Sequence, residues 1–376
     1  MTKALDLHKK LKGKIEIKAK VKVTKENFGL IYTPGVTDVT KKIAKNPESS
    51  YIYTGRANNV AIITDGSRTL GAGETVAEAS LPVMEGKAMF LKTLARVDAY
   101  PLCLASKDKD EIVRTIEILS PNFGAFNLED VKAPKSLEIM DEILAKGLII
   151  FHDDEQGVAI VVLSAIINAL KVVNKKLESV KICIAGAGAA GYGIFKILNY
   201  LGIKNIIVLD AKGIIYKSRE GDNKYIKEIA DNTNLKNLKG AKTESILNCD
   251  IYIGVSGVGN LLTAGDIKAM ASRPIIFGLS NPNPEILPNE IKKITQDYIF
   301  ASGRPDFENQ INNVVVFPGI FRGLLDYRKK MTLELQARIA KAVAGLVKKP
   351  TKKCIIVKPF DKRLLKTITN CIKKSQ

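Results

Sequence analysis

Between residues 58 and 154, four short apolar runs alternate with stretches of helical spacing. The runs are NNVAIIT (58–64), PLCLAS (101–106), FGAFNLED (123–130) and GLIIFHDD (147–154). Apolar runs of strand length, separated by segments long enough to cross over as helices, predict parallel strands buried on both faces. Three crossovers are predicted. Residues 73–97 read as one long helix with a bend or restart at Pro82, 109–119 as a second, and 134–146 as a third that opens on proline. Parallel strands end along one edge, where open α/β sheets bind their ligands. Asp65, Glu129, Asp130, Asp153 and Asp154, all at or just beyond strand ends, are therefore expected to converge there. Carboxylates so placed can hold a divalent cation.

A second α/β series follows. GVAIVVLSAIINALKVV (157–173) reads as a helix, and strands are predicted at 181–185, 205–210, 249–255, 274–280 and 297–302. From about residue 321 a long charged helix is expected, then CIIVKPFD and a lysine-rich terminal helix. The fold class is thus α/β with two domains. A parallel α/β substrate and metal domain spans 1–156, and a Rossmann-type domain spans 157–344, with 345–376 packing back on the first.

The turn GAGAAG, Gly186-Ala187-Gly188-Ala189-Ala190-Gly191, lies between an apolar strand and a helix. In such a turn the first glycine permits the tight bend. The second lets the backbone approach a pyrophosphate, and the third brings helix and strand close. The free N–H groups of the helix then face the phosphates. Asp210 ends the next strand, 22 residues after Gly188, where a carboxylate accepts ribose hydroxyls and repels a 2′-phosphate. Lys212, Lys217 and Arg219 follow closely and offer a phosphate site instead, so NAD and NADP both stay open, with a lean to NAD. Ser256 and Asn281, each just past a predicted strand, complete the expected cofactor contacts.

The net charge of +19 comes mainly from lysines spread along the whole chain. Many alternate with acids on predicted helix faces, a pattern of solvated surface more than of a nucleic-acid site. Aromatic-rich stacking segments and nucleic-acid motifs are missing, so no nucleic-acid partner is expected. No apolar run is read as a membrane span, and the start MTKALDLHKKLKGK lacks an apolar signal core. Five scattered cysteines without a CxxC pair read as reduced thiols of a cytoplasmic protein, and two histidines make a histidine-rich metal site improbable.

Set in order, LHKKLKGKIEIKAKVKV, YTPGV, AIITDGSRTLGAGE, LPVMEGKAMFLK, PNFGAFNLEDVKAP, FHDDEQGVAI, GAGAAG, GLSNPNP and NQINNVVVFPGIFRG resemble the short malic enzymes of bacteria and archaea. The resemblance runs through almost the whole chain, and the phosphotransacetylase-like domain of some relatives is not expected. It implies oxidative decarboxylation of L-malate to pyruvate and carbon dioxide with NAD(P) and Mg²⁺ or Mn²⁺, in a homodimer or larger homo-oligomer. By the same resemblance, Glu129, Asp130 and Asp154 are the metal ligands, a donor set that suits a hard cation. Lys87 resembles the general base, which must be partly neutral and so calls for burial or a nearby cation to lower its pKa. Asp153 is expected to orient Lys87, and Tyr32 resembles the general acid that protonates C3 of enolpyruvate. Arg68 matches the arginine that binds a malate carboxylate, and Asn281, Asn312 and Asn313 look like further substrate contacts.

Two departures from the family pattern stand out. Val158 occupies a position where threonine is common, which removes a hydroxyl near the cofactor. LGAGETV lacks a glycine usual later in that turn, which puts the loop around Glu74 in question. A metal-independent nicotinamide dehydrogenase on a similar two-domain plan is the competing enzyme reading. A basic nucleic-acid-binding protein without catalysis is the competing reading from another class.

Overall fold

The computed structural model describes residues 2–69 and 72–375. Among the described residues there are ten strands: β1 (Asn59–Thr64), β2 (Asp98–Cys103), β3 (Ala125–Leu128), β4 (Ile150–His152), β5 (Ile182–Ala185), β6 (Ile206–Asp210), β7 (Gly213–Ile214), β8 (Ile251–Gly254), β9 (Ile275–Gly278) and β10 (Ile299–Ser302). They form a four-stranded sheet in the order β2-β1-β3-β4 and a six-stranded sheet in the order β10-β9-β8-β5-β6-β7. All pairings are parallel except the short β6–β7 hairpin.

The two-residue period of a strand divides each apolar run between two cores. Val60 and Ile62 of β1 face a central cluster, whereas Ala61 and Ile63 face an outer one. β5 does the same, with Ile182 and Ile184 inward and Cys183 and Ala185 outward. One apolar cluster thus runs between the sheets, and the helix Val158–Val173 lies within it with twelve of its residues buried. Its composition follows from this position. With the turn before it, this helix is long and apolar enough to cross a membrane, contrary to the expectation that no run reaches that length. However, 78% of its most apolar window is buried within the protein.

Several helix boundaries differ from expectation. The stretch 73–97 is not one helix. A 3₁₀ turn, Ala77–Ser80, precedes the helix Leu81–Ala95, and Pro82 sits in that helix's first turn, where its missing N–H costs nothing. The charged run after residue 321 is two helices, Phe317–Tyr327 and Leu333–Ala344. Arg328 adopts a left-handed conformation (φ 49°) that ends the first, and the Thr332 side chain accepts from the Leu335 N–H at 3.1 Å to start the second. The strand PLCLAS begins earlier, at Asp98. The terminal helix Arg363–Lys373 lies against Phe317–Tyr327, where Gly319 and Gly323 let Ile368 and Ile372 approach. The Phe360 ring meets Phe90 of the first domain at 6.3 Å. Of the LGAGETV turn, Leu70 and Gly71 lie outside the described residues, and the Glu74 carboxylate accepts from Lys107 Nζ at 2.8 Å.

Candidate active site

β1, β3 and β4 run parallel, so Asp65, Glu129 and Asp153 follow their C-terminal ends on one edge. The chain then treats these acids differently. Asp65 turns inward, accepting from the Ser67 N–H at 2.9 Å and pairing with Lys135. It shapes the loop that carries Arg68, whose N–H donates to the Asp130 carbonyl at 3.0 Å. Glu129, Asp130 and Asp154 instead converge, each offering an oxygen within 4.8 Å of the others. Asp130 holds a left-handed backbone (φ 52°), and its N–H donates to Asp154 Oδ2 at 2.8 Å, which ties the two loops together.

Lys87 projects from the helix Leu81–Ala95 into this cluster with 8% of its surface exposed. Its Nζ lies 2.5 Å from Glu129 Oε1, donates to Asp153 Oδ2, and sits 4.7 Å above the Phe317 ring. The π-helical turn Asp153–Gly157 aims Asp153 at it. A Cβ on Gly157 would come within 1.8 Å of Asp153 Oδ1, so only glycine leaves room for that carboxylate. Burial alone would push the Lys87 ammonium down, but Asp153, Glu129 and Asp154 together outweigh it and hold the ammonium above its ordinary value. This reverses the expectation of a lowered pKa, because burial delivers the lysine into a nest of carboxylates. Burial, opposed by Lys87 and reinforced by neighbouring acids, raises Glu129 well above the carboxylate range, and burial raises Asp153 as well.

The cluster opens into a cleft of about 710 Å³ between the two sheets. Arg68, Lys87, Glu129, Asp130 and Asp154 line one wall. Ala190, Ser280, Asn281, Asn312 and Asn313 line the other, and Val158 lies between them. The glycine turn stands at the edge of this wall. Gly186 has φ +122° and a Cβ there would meet Ser256 N at 2.8 Å, whereas a Cβ on Gly191 would come within 1.8 Å of the Gly186 carbonyl. Gly188, by contrast, faces open space and caps the helix Ala189–Tyr200 with no side chain on its N–H groups. That combination suits a pyrophosphate, with Ala187 and Ala189 too small to obstruct it. Ser256 Oγ accepts from the Val258 N–H at 3.1 Å and so folds onto its own loop. Asp210 ends β6 beside this turn but is shared with Arg219.

Tyr32 does not join the site within one chain. It is 63% exposed, it caps the short helix Lys25–Ile31, and its ring contacts Phe28 at 6.2 Å. None of residues 2–48 is buried, and Tyr32 is not among the residues that line the cleft.

Two buried groups behind the site escaped the sequence reading. Glu285 is fully buried and burial raises its pKa. It accepts from Ser280 Oγ at 2.5 Å, and Ser280 Oγ in turn accepts from the Gly257 N–H at 2.9 Å, which joins the loops after β8 and β9. His152 is also fully buried, with Nδ1 3.4 Å from Glu155 Oε2. The acid following SNPNP was the available signal for the first; nothing in the spacing marks the second.

Comparison with known proteins agrees with this arrangement. Residues 12–143 match the family profile "Malic enzyme, N-terminal domain" and residues 155–371 match "Malic enzyme, NAD binding domain". The chain is 42% identical over 379 residues to a bifunctional malic/malolactic enzyme of Bacillus subtilis, covering 99% of this chain and 92% of that one. It is 44% identical to an NAD-dependent malic enzyme of Geobacillus stearothermophilus, covering 89% and 70% of the two chains. An NADP-dependent malic enzyme of Haemophilus influenzae is 39% identical over 99% of this chain and 52% of its own length. The crystal structure of an NAD-dependent malic enzyme from Thermotoga maritima superposes with a TM-score of 0.95 at 41% identity, covering all of both chains. With both halves of the chain matched in sequence and the whole of it in fold, this protein belongs to the malic enzyme family.

Proposed function

We propose that the chain oxidises and decarboxylates L-malate to pyruvate and carbon dioxide, with NAD(P) as oxidant and Mg²⁺ or Mn²⁺ as the metal. The observation that supports this most is the meeting of Glu129, Asp130 and Asp154 beside Lys87, in a cleft whose other wall belongs to the dinucleotide domain. The malic enzyme names of the relatives supply the substrate. The donor set fits a hard cation: all three are carboxyl groups, and with Asp153 they gather four acids around the Lys87 amine. Glu129, Asp130 and Asp154 would hold the cation, which would supply Lewis-acid polarisation of the C2 oxygen, and the glycine turn would hold NAD(P), which would supply the hydride acceptor.

The chain's own groups supply the rest. Arg68 presents a planar fork to a malate carboxylate, and Asn281, Asn312 and Asn313 orient the substrate from the opposite wall. Lys87 Nζ takes the C2 hydroxyl proton, and Asp153 fixes where that Nζ points. The neutral amine this requires is favoured when Glu129 serves as a ligand, because Lys87 then keeps Asp153 alone as its close carboxylate. Tyr32 returns a proton to C3 after carbon dioxide leaves.

Tyr32 reaches the site from a second copy of the chain. Leu5, Leu7, Leu11, Ile17 and Leu30 are exposed in the same segment, an apolar surface suited to burial in a homodimer. Mixing inactive Tyr32→Phe and Lys87→Ala proteins tests this. Hybrid dimers regain turnover if the two groups come from different copies, and stay inactive if one copy supplies both.

The cofactor reading favours NAD, supported by Asp210 at the ribose end of β6. The five free cysteines support a cytoplasmic setting. The decisive assay follows cofactor reduction with L-malate, with Mn²⁺ or with EDTA. Loss of activity in EDTA is expected; activity that persists there favours a metal-independent dehydrogenase.

A further inference from the structure

Beneath the cleft wall that faces Lys87 lies a buried acid for which the malate chemistry has no use. Glu285 is fully buried, whereas Asn281, Pro282 and Asn283, just before it in the loop after β9, are exposed. The sequence makes a slot for it. β8 and β9 both end on glycine, Gly254 and Gly278, which are partners in the parallel register. A Cβ on Gly254 would come within 2.1 Å of the Glu285 Cδ, and one on Gly278 would lie 3.4 Å from Oε2. The carboxyl therefore occupies the space that side chains at these two strand ends would fill.

From this slot Glu285 holds two loops. Ser280 Oγ donates to Oε1 at 2.5 Å, and the Ser280 N–H donates to Oε2 at 3.3 Å. The same Oγ accepts from the Gly257 N–H at 2.9 Å. On the main chain, the Leu262 N–H donates to the Glu285 carbonyl at 2.9 Å and the Asn260 N–H to the Pro284 carbonyl at 3.0 Å. Ser280 and Glu285 thus close the base of the loop after β9 and tie it to the loop after β8. Asn281 stands on the closed loop, and a Cβ on Gly303 would meet its Nδ2 at 3.3 Å. Gly257, Ser280, Asn281 and Gly303 all line the cleft.

An apolar residue could fill the same slot without the cost of burying a carboxyl. That cost is real here, since burial raises the Glu285 pKa against hydrogen bonds that lower it. What the carboxyl adds is direction. Its two oxygens accept from both the hydroxyl and the N–H of one residue, which commits the Ser280 proton to Glu285 and leaves an Oγ lone pair for Gly257. We propose that Glu285 is a positioning residue: its carboxyl orients Ser280 toward Gly257 and so fixes Asn281 in the cleft wall opposite Lys87. Being fully buried, it acts through Ser280 and not on the substrate. The role assigned to it rests on the reading of this cleft as the malate site.

The test uses the full chain as wild type, Glu285→Gln, Glu285→Leu, Ser280→Ala, and Glu285→Leu combined with Ser280→Ala. Glutamine keeps an acceptor for the Ser280 hydroxyl, whereas leucine fills the slot without one. Each protein is measured for melting temperature, for NADH affinity, and for kcat with L-malate and with L-malate deuterated at C2. Hydrogen–deuterium exchange of the segment holding Gly257 is followed in parallel. Glu285→Leu should keep its NADH affinity yet lose kcat by about 10- to 100-fold, the scale of a small misplacement in a site. Its deuterium isotope effect should rise, because a displaced wall slows the hydride step and not product release. Ser280→Ala should show the same loss, the double variant should lose no more than either, and Glu285→Gln should recover most of it. Exchange at Gly257 should quicken wherever kcat falls. Should Glu285→Leu not fold, Ser280→Ala and Glu285→Gln decide the matter by the same readouts. A lowered melting temperature with kcat and isotope effect unchanged marks a merely structural role and overturns the proposal, as do additive losses in the double variant. A wild type that does not oxidise malate removes the reading of the reaction, and Gly257 exchange then decides the clamp by itself.

Discussion

Lys87→Ala is expected to lower malate-dependent cofactor reduction by about 10²–10⁴-fold, the range for loss of a positioned general base. The protein should stay folded and still bind NADH. Lys87 is buried between Glu129 and Asp153, and deleting one partner of a buried ion pair often costs about 3–5 kcal/mol. Here both carboxylates are already raised by burial, so each can take up a proton once the ammonium is gone, which softens that cost. The dinucleotide half has its own outer core, built on β5, β6, β8 and β9, so NADH binding reports on folding independently of the lysine. Turnover near the wild-type level in a folded Lys87→Ala protein would take the lysine out of the chemistry.

Asp130→Asn should weaken Mn²⁺ binding by at least about tenfold, since changes even to groups behind metal ligands commonly cost 10- to 100-fold. The substitution isolates charge. Asp130 has φ 52°, a left-handed conformation that asparagine tolerates as well as aspartate does. Its backbone bonds to Asp154 and Arg68 do not involve the carboxylate and survive the change. Alanine would add backbone strain and confuse the result. The measurement is a Mn²⁺ titration followed by electron paramagnetic resonance without substrate, which does not depend on turnover. Unchanged Mn²⁺ affinity would sink the assignment of Asp130 as a ligand.

The two effects are separable although the residues are neighbours. Lys87→Ala leaves the side chains of all three ligands in place, so Mn²⁺ should still bind. Asp130→Asn leaves the contacts of Lys87 with Glu129 and Asp153 untouched.

Some of the site was legible because its logic is local. Acids at the ends of parallel strands share an edge whatever the helices between them do, so the meeting of Glu129, Asp130 and Asp154 followed from strand order and direction. The glycine turn was equally readable, since Gly186, Gly188 and Gly191 act within six residues of chain. Asp65 shows the limit of that reasoning. It reaches the same edge, yet Lys135, 70 residues away, draws it out of the cluster. Periodicity also joined Arg322 to Val347 in one helix, because it could not register the left-handed turn at Arg328.

What the sequence determined by itself is the plan: two α/β units, a carboxylate edge and a dinucleotide turn. Those features depend on residue type at short spacing. The tertiary structure decided the charge state of Lys87, the sequestration of Asp210 by Arg219, and the absence of Tyr32 from its own chain's cleft. Each depends on which distant groups share a small, poorly hydrated volume. Burial and Coulomb interactions act through space, so distance along the chain does not reveal them.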